Sequence, residues 1–292
     1  MAKGYVLYNP LAGDKCGDED AKLLQYVLEE PLEFFDITRI TNYTAFLSGL
    51  ESDDYLVLMG GDGTLNRFVN DTRGLSIARE ILYFPTGTGN DFAADLGHEA
   101  FDPPFSVAPY LKDIPTVEVK GKTYRFLNGV GFGLDGYCCQ EGDRRRKSTG
   151  KRINYGLIAV QGLLFRFEPR NARITVDGKV YEYENVWIAP TMHGRYYGGG
   201  MMPAPGQDRT SGVLSLMVFH GAGRLRTLCV FPGIFSGRHV KHTNLVAIHQ
   251  GSEITVEFDR PTPLQMDGET ILNVTGYTAR TSKGSGNRKE AM

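Results

Sequence analysis

The chain has 292 residues, of which 41% are apolar and 23% charged, and its formal net charge is −2. That balance is ordinary for a globular protein and excludes the broad positive field of a nucleic-acid binder. The length suggests two domains or one large one, and no apolar run reaches the roughly 18–20 residues that span a bilayer.

Four cysteines occur, Cys16, Cys138, Cys139 and Cys229, with no Cys-x-x-Cys pair, and the histidines show no zinc spacing. This pattern predicts reduced thiols and a cytoplasmic protein. The N-terminus enters an apolar strand directly, so no signal peptide is expected. Thirty-six glycines cluster in turns, which predicts tight loops and backbone open to a ligand.

Residues 4–8 read as a first strand, running into the turn Asn9-Pro10-Leu11-Ala12-Gly13. Ala21, Leu24, Val27 and Leu28 then recur at helical spacing. Residues 32–38 predict a second strand, 44–50 a short helix and 55–59 a third strand, apolar throughout as expected when both faces are covered. The third strand ends in Gly60-Gly61-Asp62-Gly63-Thr64-Leu65-Asn66, and Leu65, Phe68 and Val69 continue at helical spacing. A glycine turn opening a helix presents free N–H groups, which suit phosphate. Asp62 would repel phosphate unless a metal ion or a proton-transfer role accounts for it, so the stretch reads as a nucleotide-phosphate site with Mg²⁺. Residues 81–85 form a fourth strand with the same grammar, followed by Thr86-Gly87-Thr88-Gly89-Asn90-Asp91 and a helix. Strand and helix therefore alternate over the first ~100 residues, the pattern of a parallel α/β sheet whose ligands bind beyond the carboxyl ends of the strands.

After about residue 113 the pattern changes to strands. Residues 116–127 and 173–183 read as hairpins turning at Lys120-Gly121 and Asp177-Gly178. Residues 128–135 read as extended and glycine-rich, without the following helix a dinucleotide fingerprint needs. Residues 142–152, containing Arg144, Arg145, Arg146 and Lys147, read as a charged loop that is either solvated or in contact with anionic head groups, beside an apolar helical segment at 153–167. Strands at 185–189, 212–219, 253–258 and 272–279, with a helix at 225–235, complete a β-rich half expected to be a sandwich. The expected division is an ATP-binding domain at 1–115, a lipid-substrate domain at 116–281 and a frayed polar tail at 282–292.

The two glycine loops and the late Met266-Asp267-Gly268-Glu269 resemble the diacylglycerol kinase catalytic-domain family, which includes sphingosine, ceramide and bacterial lipid kinases and is similar in fold to NAD kinases. The resemblance covers nearly the whole chain and implies an ATP- and Mg²⁺-dependent kinase acting on diacylglycerol or a related lipid alcohol, peripheral to the membrane, with ATP in a cleft between an α/β domain and a β-sandwich. It implies nucleotide contacts at Asn9, Pro10, Gly13, Gly60, Gly61, Asp62, Gly63, Thr64, Leu65, Asn66, Thr88 and Asn90, and at a threonine ending strand two, Thr38 or Thr41. Asp62 and Asp91 match carboxylates that organise the catalytic Mg²⁺. Asp267 and Glu269 match the Asp-Gly-Glu signature supplying the base, with Glu269 ranked first by family practice.

Two places depart from the family. Bacterial relatives hold a structural Mg²⁺ through an Asp-Gly pair and neighbouring backbone groups where this chain reads Asp208-Arg209-Thr210-Ser211-Gly212-Val213. Ser211 stands in place of the Asp; Asp208, Ser211 and Val213 are the candidate donors, and Arg209 argues for charge balance without a metal. Lys15 stands one place later than the family's loop lysine. The alternatives are a non-catalytic nucleotide- or lipid-binding protein of the same fold and an NAD kinase-type activity. The sequence suggests no nucleic-acid partner and is compatible with an oligomer.

Overall fold

The computed structural model describes residues 2–10, 22–87, 89–149 and 155–282. The chain divides into two compact units, Met1–Asp113 and Ile114–Met292. In the first, β1 (Gly4–Tyr8), β2 (Leu32–Asp36), β3 (Tyr55–Gly60), β4 (Ile81–Pro85) and β5 (Phe105–Ser106) form a sheet ordered β2-β1-β3-β4-β5. The first four pair in parallel and β5 adds antiparallel to β4. β1 and β3 are central, and Val6, Leu7, Leu56, Val57 and Leu58 are fully buried. That is why β3 reads as an unbroken apolar run rather than an alternating one. The described helices of this unit are α1 (Tyr43–Ser48), α2 (Asp62–Asp71) and α3 (Asp91–Asp95). α2 buries Leu65, Phe68 and Val69, the residues that its periodicity selects. Because β1, β2, β3 and β4 run in parallel, the loops that follow them share one edge of the sheet.

The second unit holds β6 (Thr116–Val119), β7 (Lys122–Arg125), β8 (Gly129–Gly133), β9 (Arg170–Val176), β10 (Lys179–Val186), β11 (Ile188–Met192), β12 (Leu214–Phe219), β13 (Val246–Gly251), β14 (Glu253–Met266) and β15 (Glu269–Arg280). These ten strands form one continuous hydrogen-bonded array. The array folds over itself into a β-sandwich-like domain, since Val117, Phe132, Ile174, Leu216, Val256 and Tyr277 from six of its strands share one core. A second core, with Trp187, Ile188 and Met217, lies under α4 (Leu134–Thr149), α5 (Tyr155–Gln161), a π-helical turn (Gly162–Arg166) and α6 (Arg224–Val230).

Two sequence expectations are corrected here. Residues 128–135 do lead into a helix: β8 ends at Gly133 and α4 begins at Leu134. The stretch 142–149 is the second half of α4, not a loop. Its charge is locally balanced: Glu141 accepts from Arg144 and Arg145 at 2.8 Å each, and those hydrogen bonds hold its carboxyl down to about 2. Pairs at i,i+3 and i,i+4 are the spacings that meet on a helix surface. The Arg146 guanidinium donates to the Tyr155 hydroxyl at 3.0 Å. The Lys147 side chain, residues 11–21, Thr88 and residues 283–292 lie outside the described residues. The sequence readings placed on Gly13, Lys15, Thr88 and most of the polar tail therefore stay as expectations. Among the described residues no helix is long and apolar enough to cross a membrane.

Candidate active site

β3 ends on Gly60 with φ +149°, a conformation that a side chain would strain, and any Cβ there would strike Thr64. The chain then turns at Gly61 into α2, whose first residue is Asp62. The Asp62 carboxylate reaches across to the second glycine loop. Its Oδ2 accepts the Asp91 amide at 2.8 Å and its Oδ1 the Phe92 amide at 2.9 Å. An anion at the opening of α3 satisfies amides that have no partner inside the helix and complements its dipole. Asp62 thus ties the loop after β3 to the loop after β4. The Thr86 amide donates to Gly60 O at 3.0 Å, the Tyr83 hydroxyl donates to the same carbonyl at 3.0 Å, and the Asp62 amide donates to Gly89 O at 3.4 Å. Burial, with Asp62 and Asp91 nearby, pushes the Tyr83 phenol well above its usual range, so it stays a donor.

The loops meet backbone to backbone. A Cβ on Gly87 would sit 2.8 Å from the Gly61 nitrogen, and one on Gly61 would sit 3.0 Å from Gly89 O. Gly87→Ala is therefore expected to cost about 1–3 kcal/mol by overpacking. It should also weaken binding of a phosphate-bearing ligand at these loops, because they could no longer hold their spacing. Titration calorimetry with ATP, beside thermal unfolding, checks this; wild-type ATP affinity in the variant would contradict it.

Amides of Gly63, Gly87 and Gly89 donate to no group among the described residues. The space around Gly63 is open, with nothing within 4 Å of an added Cβ. Asn90 donates its amide to Gly87 O at 2.8 Å, and its Oδ1 is buried without a donor among the described residues. Free amides at a helix start, an open glycine face and an orphaned acceptor together fit a phosphate-bearing ligand. Asn9 and Pro10 follow β1 on the same edge of the sheet. Thr64 and Leu65 are buried in the first turn of α2, and Asn66 is half-buried. Thr38 lies just past β2, where its hydroxyl donates to Asp36 at 2.6 Å and holds that carboxyl below its usual range; its hydroxyl proton is already committed. Thr41 is exposed three residues further on.

Among the described residues no group of three or more His, Cys, Asp or Glu is placed to hold a metal ion. Asp62 and Asp91, each opening a helix beside the glycine loops, still suit Mg²⁺ bound by one or two carboxylates plus a substrate's phosphates.

In the second unit, Asp267 (φ 46°) and Gly268 (φ 90°) form the tight turn between β14 and β15, the left-handed pair expected of Asp-Gly. Both Asp267 oxygens face backbone: Oδ2 accepts the Leu127 amide at 2.5 Å, and Oδ1 accepts those of Asn128 and Gly129 at 2.8 and 3.0 Å. Glu269 is exposed at the start of β15, where it pairs with Met266, and its carboxylate makes no hydrogen bond or ion pair with the described residues. Two carboxylates two residues apart thus differ in kind, one locked into a platform and one free.

One residue missed by the sequence reading is Asp135, at the start of α4. It is buried beside Tyr197, whose hydroxyl donates to it at 3.3 Å, and the Gly136 amide donates at 2.8 Å. Burial raises its carboxyl to about 6 against those hydrogen bonds. The available signal was a lone acidic residue following the buried glycine strand 129–133. A carboxyl raised in the folded state makes the folded protein bind more protons, so its cost is absent below about pH 4 and complete above about pH 6. Asp135→Asn should therefore gain stability relative to wild type as pH rises through that window, by about 2–3 kcal/mol. Denaturant unfolding at pH 4 and pH 7 checks it; a constant difference between the two proteins would contradict it.

The departure at Asp208–Val213 from the relatives' structural Mg²⁺ site is matched by local bonding that leaves little for a metal ion. Asp208 O accepts the Ser211 amide at 3.1 Å, the Ser211 hydroxyl at 2.6 Å and the Gln207 amide at 3.0 Å. Val213 O accepts the same Gln207 amide at 2.9 Å. The Asp208 carboxylate is turned onto Thr210, whose amide and hydroxyl both donate at 2.8 Å. The two backbone carbonyls and the Asp208 Oδ1 that a metal ion would use are thus already engaged by the chain's own N–H and O–H groups.

This α/β unit with paired glycine loops, together with a sandwich carrying an Asp-Gly-Glu turn, defines a kinase class. The profile of the diacylglycerol kinase catalytic domain matches residues 3–117, and that of the YegS C-terminal NAD kinase beta sandwich-like domain matches residues 128–280, more than half the chain. The chain belongs to this family of kinases. It is 28% identical to a diacylglycerol kinase of Mycobacterium tuberculosis over 64% of this chain and 62% of that one. It is 24% identical to a diacylglycerol kinase of Bacillus subtilis over 92% of this chain and 90% of that one. A crystal structure of a Bacillus anthracis str. Sterne protein, provisionally assigned as a diacylglycerol kinase, superposes with a TM-score of 0.69 at 21% identity, covering 96% of this chain and 92% of that one, which shows the fold.

Proposed function

We propose that the protein transfers the γ-phosphoryl group of ATP to a hydroxyl of diacylglycerol or a related lipid alcohol. The observation that carries this reading is the Asp62 carboxylate joining two glycine loops whose amides have no acceptor among the described residues. Phosphoryl transfer is mostly positioning and charge stabilisation, and each element has a part. The amides of Gly63, Gly87 and Gly89 cradle the phosphates, and Gly60, Gly61, Thr64 and Asn90 fix the loops that present them. Asn9, Pro10 and Thr38, or Thr41, stand at the same sheet edge for the remainder of the nucleotide. Asp62 and Asp91 would hold Mg²⁺, which when bound offsets the negative charge of the phosphates. Glu269 takes the proton from the attacking alcohol, and Asp267 fixes the turn from which Glu269 projects. The names of the curated relatives favour a lipid acceptor.

The lipid surface would be met by the apolar face near Phe165 and Leu225, which are 77% and 76% exposed and flanked by exposed Arg166 and Arg226. α6 packs against the π-helical turn that carries Phe165. Exposed Arg144 and Arg146 lie on α4, which α5 packs against. Apolar side chains beside basic ones suit an anionic bilayer. Phe165→Ser with Leu225→Ser should weaken sedimentation with phosphatidylglycerol vesicles at least about tenfold, and unchanged binding would remove this face from the account.

The reaction is tested with γ-labelled ATP and Mg²⁺, offering diacylglycerol, sphingosine, ceramide and phosphatidylglycerol separately in mixed micelles. Label in one lipid, absent when the protein is left out, supports the proposal. Label in none of them, with ATP binding intact, would sink it.

A further inference from the structure

We propose that Gln207 and Arg209 do, with the chain's own donors, the work of a structural cation in the sandwich, so that this domain holds together without a divalent metal. Gln207 is buried, and its amide nitrogen shares its two N–H donors among three carbonyls that converge on it: His193 at 3.2 Å, Asp208 at 3.0 Å and Val213 at 2.9 Å. The orientation of that amide is set from behind. Ser215, also buried, donates its hydroxyl to Gln207 Oε1 at 2.5 Å and in turn accepts from Gln250 at 3.1 Å. The nitrogen must then face the loop carbonyls, since the oxygen is already taken.

Arg209 supplies the charge. Its side chain is buried, and the guanidinium donates to Leu127 O at 2.6 Å and to Asn128 Oδ1 at 3.0 Å, with His193 Nδ1 at 3.4 Å. The peptide group between Leu127 and Asn128 therefore has its carbonyl on Arg209 and its N–H on the Asp267 carboxylate, 2.8 Å away. One peptide dipole lies between a fixed cation and a fixed anion, aligned with both, and such chains polarise one another in a low-dielectric interior. Arg is suited to this place because its charge is permanent and its donors are fixed in a planar fork. The loop Asp208–Val213, the platform Leu127–Gly129 and the Asp267 turn become one connected unit whose positive element is covalently part of the chain.

This goes beyond the kinase reading and does not depend on it, because its test needs neither nucleotide nor lipid. The full chain is unfolded thermally without nucleotide, in EDTA and in excess Mg²⁺ or Ca²⁺. A resident metal would raise the midpoint by about 5–10 °C when saturating; the expected shift is within about 1 °C. The double variant Gln207→Ala, Ser211→Asp opens the space between the loop carbonyls and adds a carboxylate, and it should become metal-responsive, with its midpoint rising by several degrees in Mg²⁺. A wild-type midpoint that falls in EDTA and returns with Mg²⁺ or Ca²⁺ would overturn the proposal. That measurement stands on wild type alone, should the double variant not fold.

Discussion

Asp62→Asn is expected to lower lipid phosphorylation at least about 1000-fold. Two losses combine in one atom change. The carboxylate oxygens accept the Asp91 and Phe92 amides, and an amide side chain can accept only one of them while turning an N–H toward the other. Loss of an anionic cap costs about 1 kcal/mol of local stability, which alone would not abolish activity in a folded enzyme. The larger effect is on charge: the site loses half of its Asp62–Asp91 pair, and one preorganised electrostatic contact is commonly worth about 10²–10³ in rate. The loop linkage adds misplacement of the phosphates, where about 1 Å of displacement costs roughly another 100-fold. Steady-state kinetics with thermal unfolding separate the two losses. Activity of the Asp62→Asn variant within tenfold of wild type would show that the carboxylate is a cap and nothing more.

Glu269→Gln is expected to lower kcat by about 10²–10⁴, the range for a general base, while KM for ATP and the unfolding midpoint stay near wild type. The structure separates this residue from its neighbour two positions earlier. Glu269 is exposed and its carboxylate has no hydrogen bond among the described residues, so removing its charge disturbs no packing. Asp267 accepts three backbone amides, and Asp267→Asn should destabilise the domain by about 2–3 kcal/mol, because charge-assisted hydrogen bonds are lost and one amide faces a donor. The pair of variants thus predicts one stable and inactive protein and one less stable protein. Full activity in Glu269→Gln, beside a well-folded but inactive Asp267→Asn, would move the base to Asp267.

Local grammar carried the first unit. The apolar run at 55–59 is central β3, and the glycine turns at 60–63 and 86–89 are legible because few other residue types fit a φ of +149° or a backbone contact as close as Gly61 to Gly87. What Asp62 does there was not legible. Its partners, Asp91 and Phe92, lie some thirty residues away and are set by the parallel pairing of β3 with β4. α4 was misread because its charge run Asp143 to Lys147 imitates a loop. Only the ion pairs with Glu141, and the apolar Leu134 and Cys138 on its buried side, show the helix. The Asp267 platform joins residues about 140 positions apart in sequence, and no spacing encodes such a contact. The departure at Ser211 was visible as a missing carboxylate. That Gln207 fills the place depends on its hydrogen bonds with Ser215 and Val213, which only the folded sandwich assembles.

The most direct test of the account is simultaneous measurement of ADP release and of label in diacylglycerol, using purified protein, Mg²⁺ and γ-labelled ATP, with NAD offered in a parallel reaction. The account predicts one phosphorylated lipid formed for each ADP, little ADP without lipid, and loss of both products in Asp62→Asn. Phosphorylation of NAD with none of the lipid, or ADP release indifferent to lipid, would contradict it.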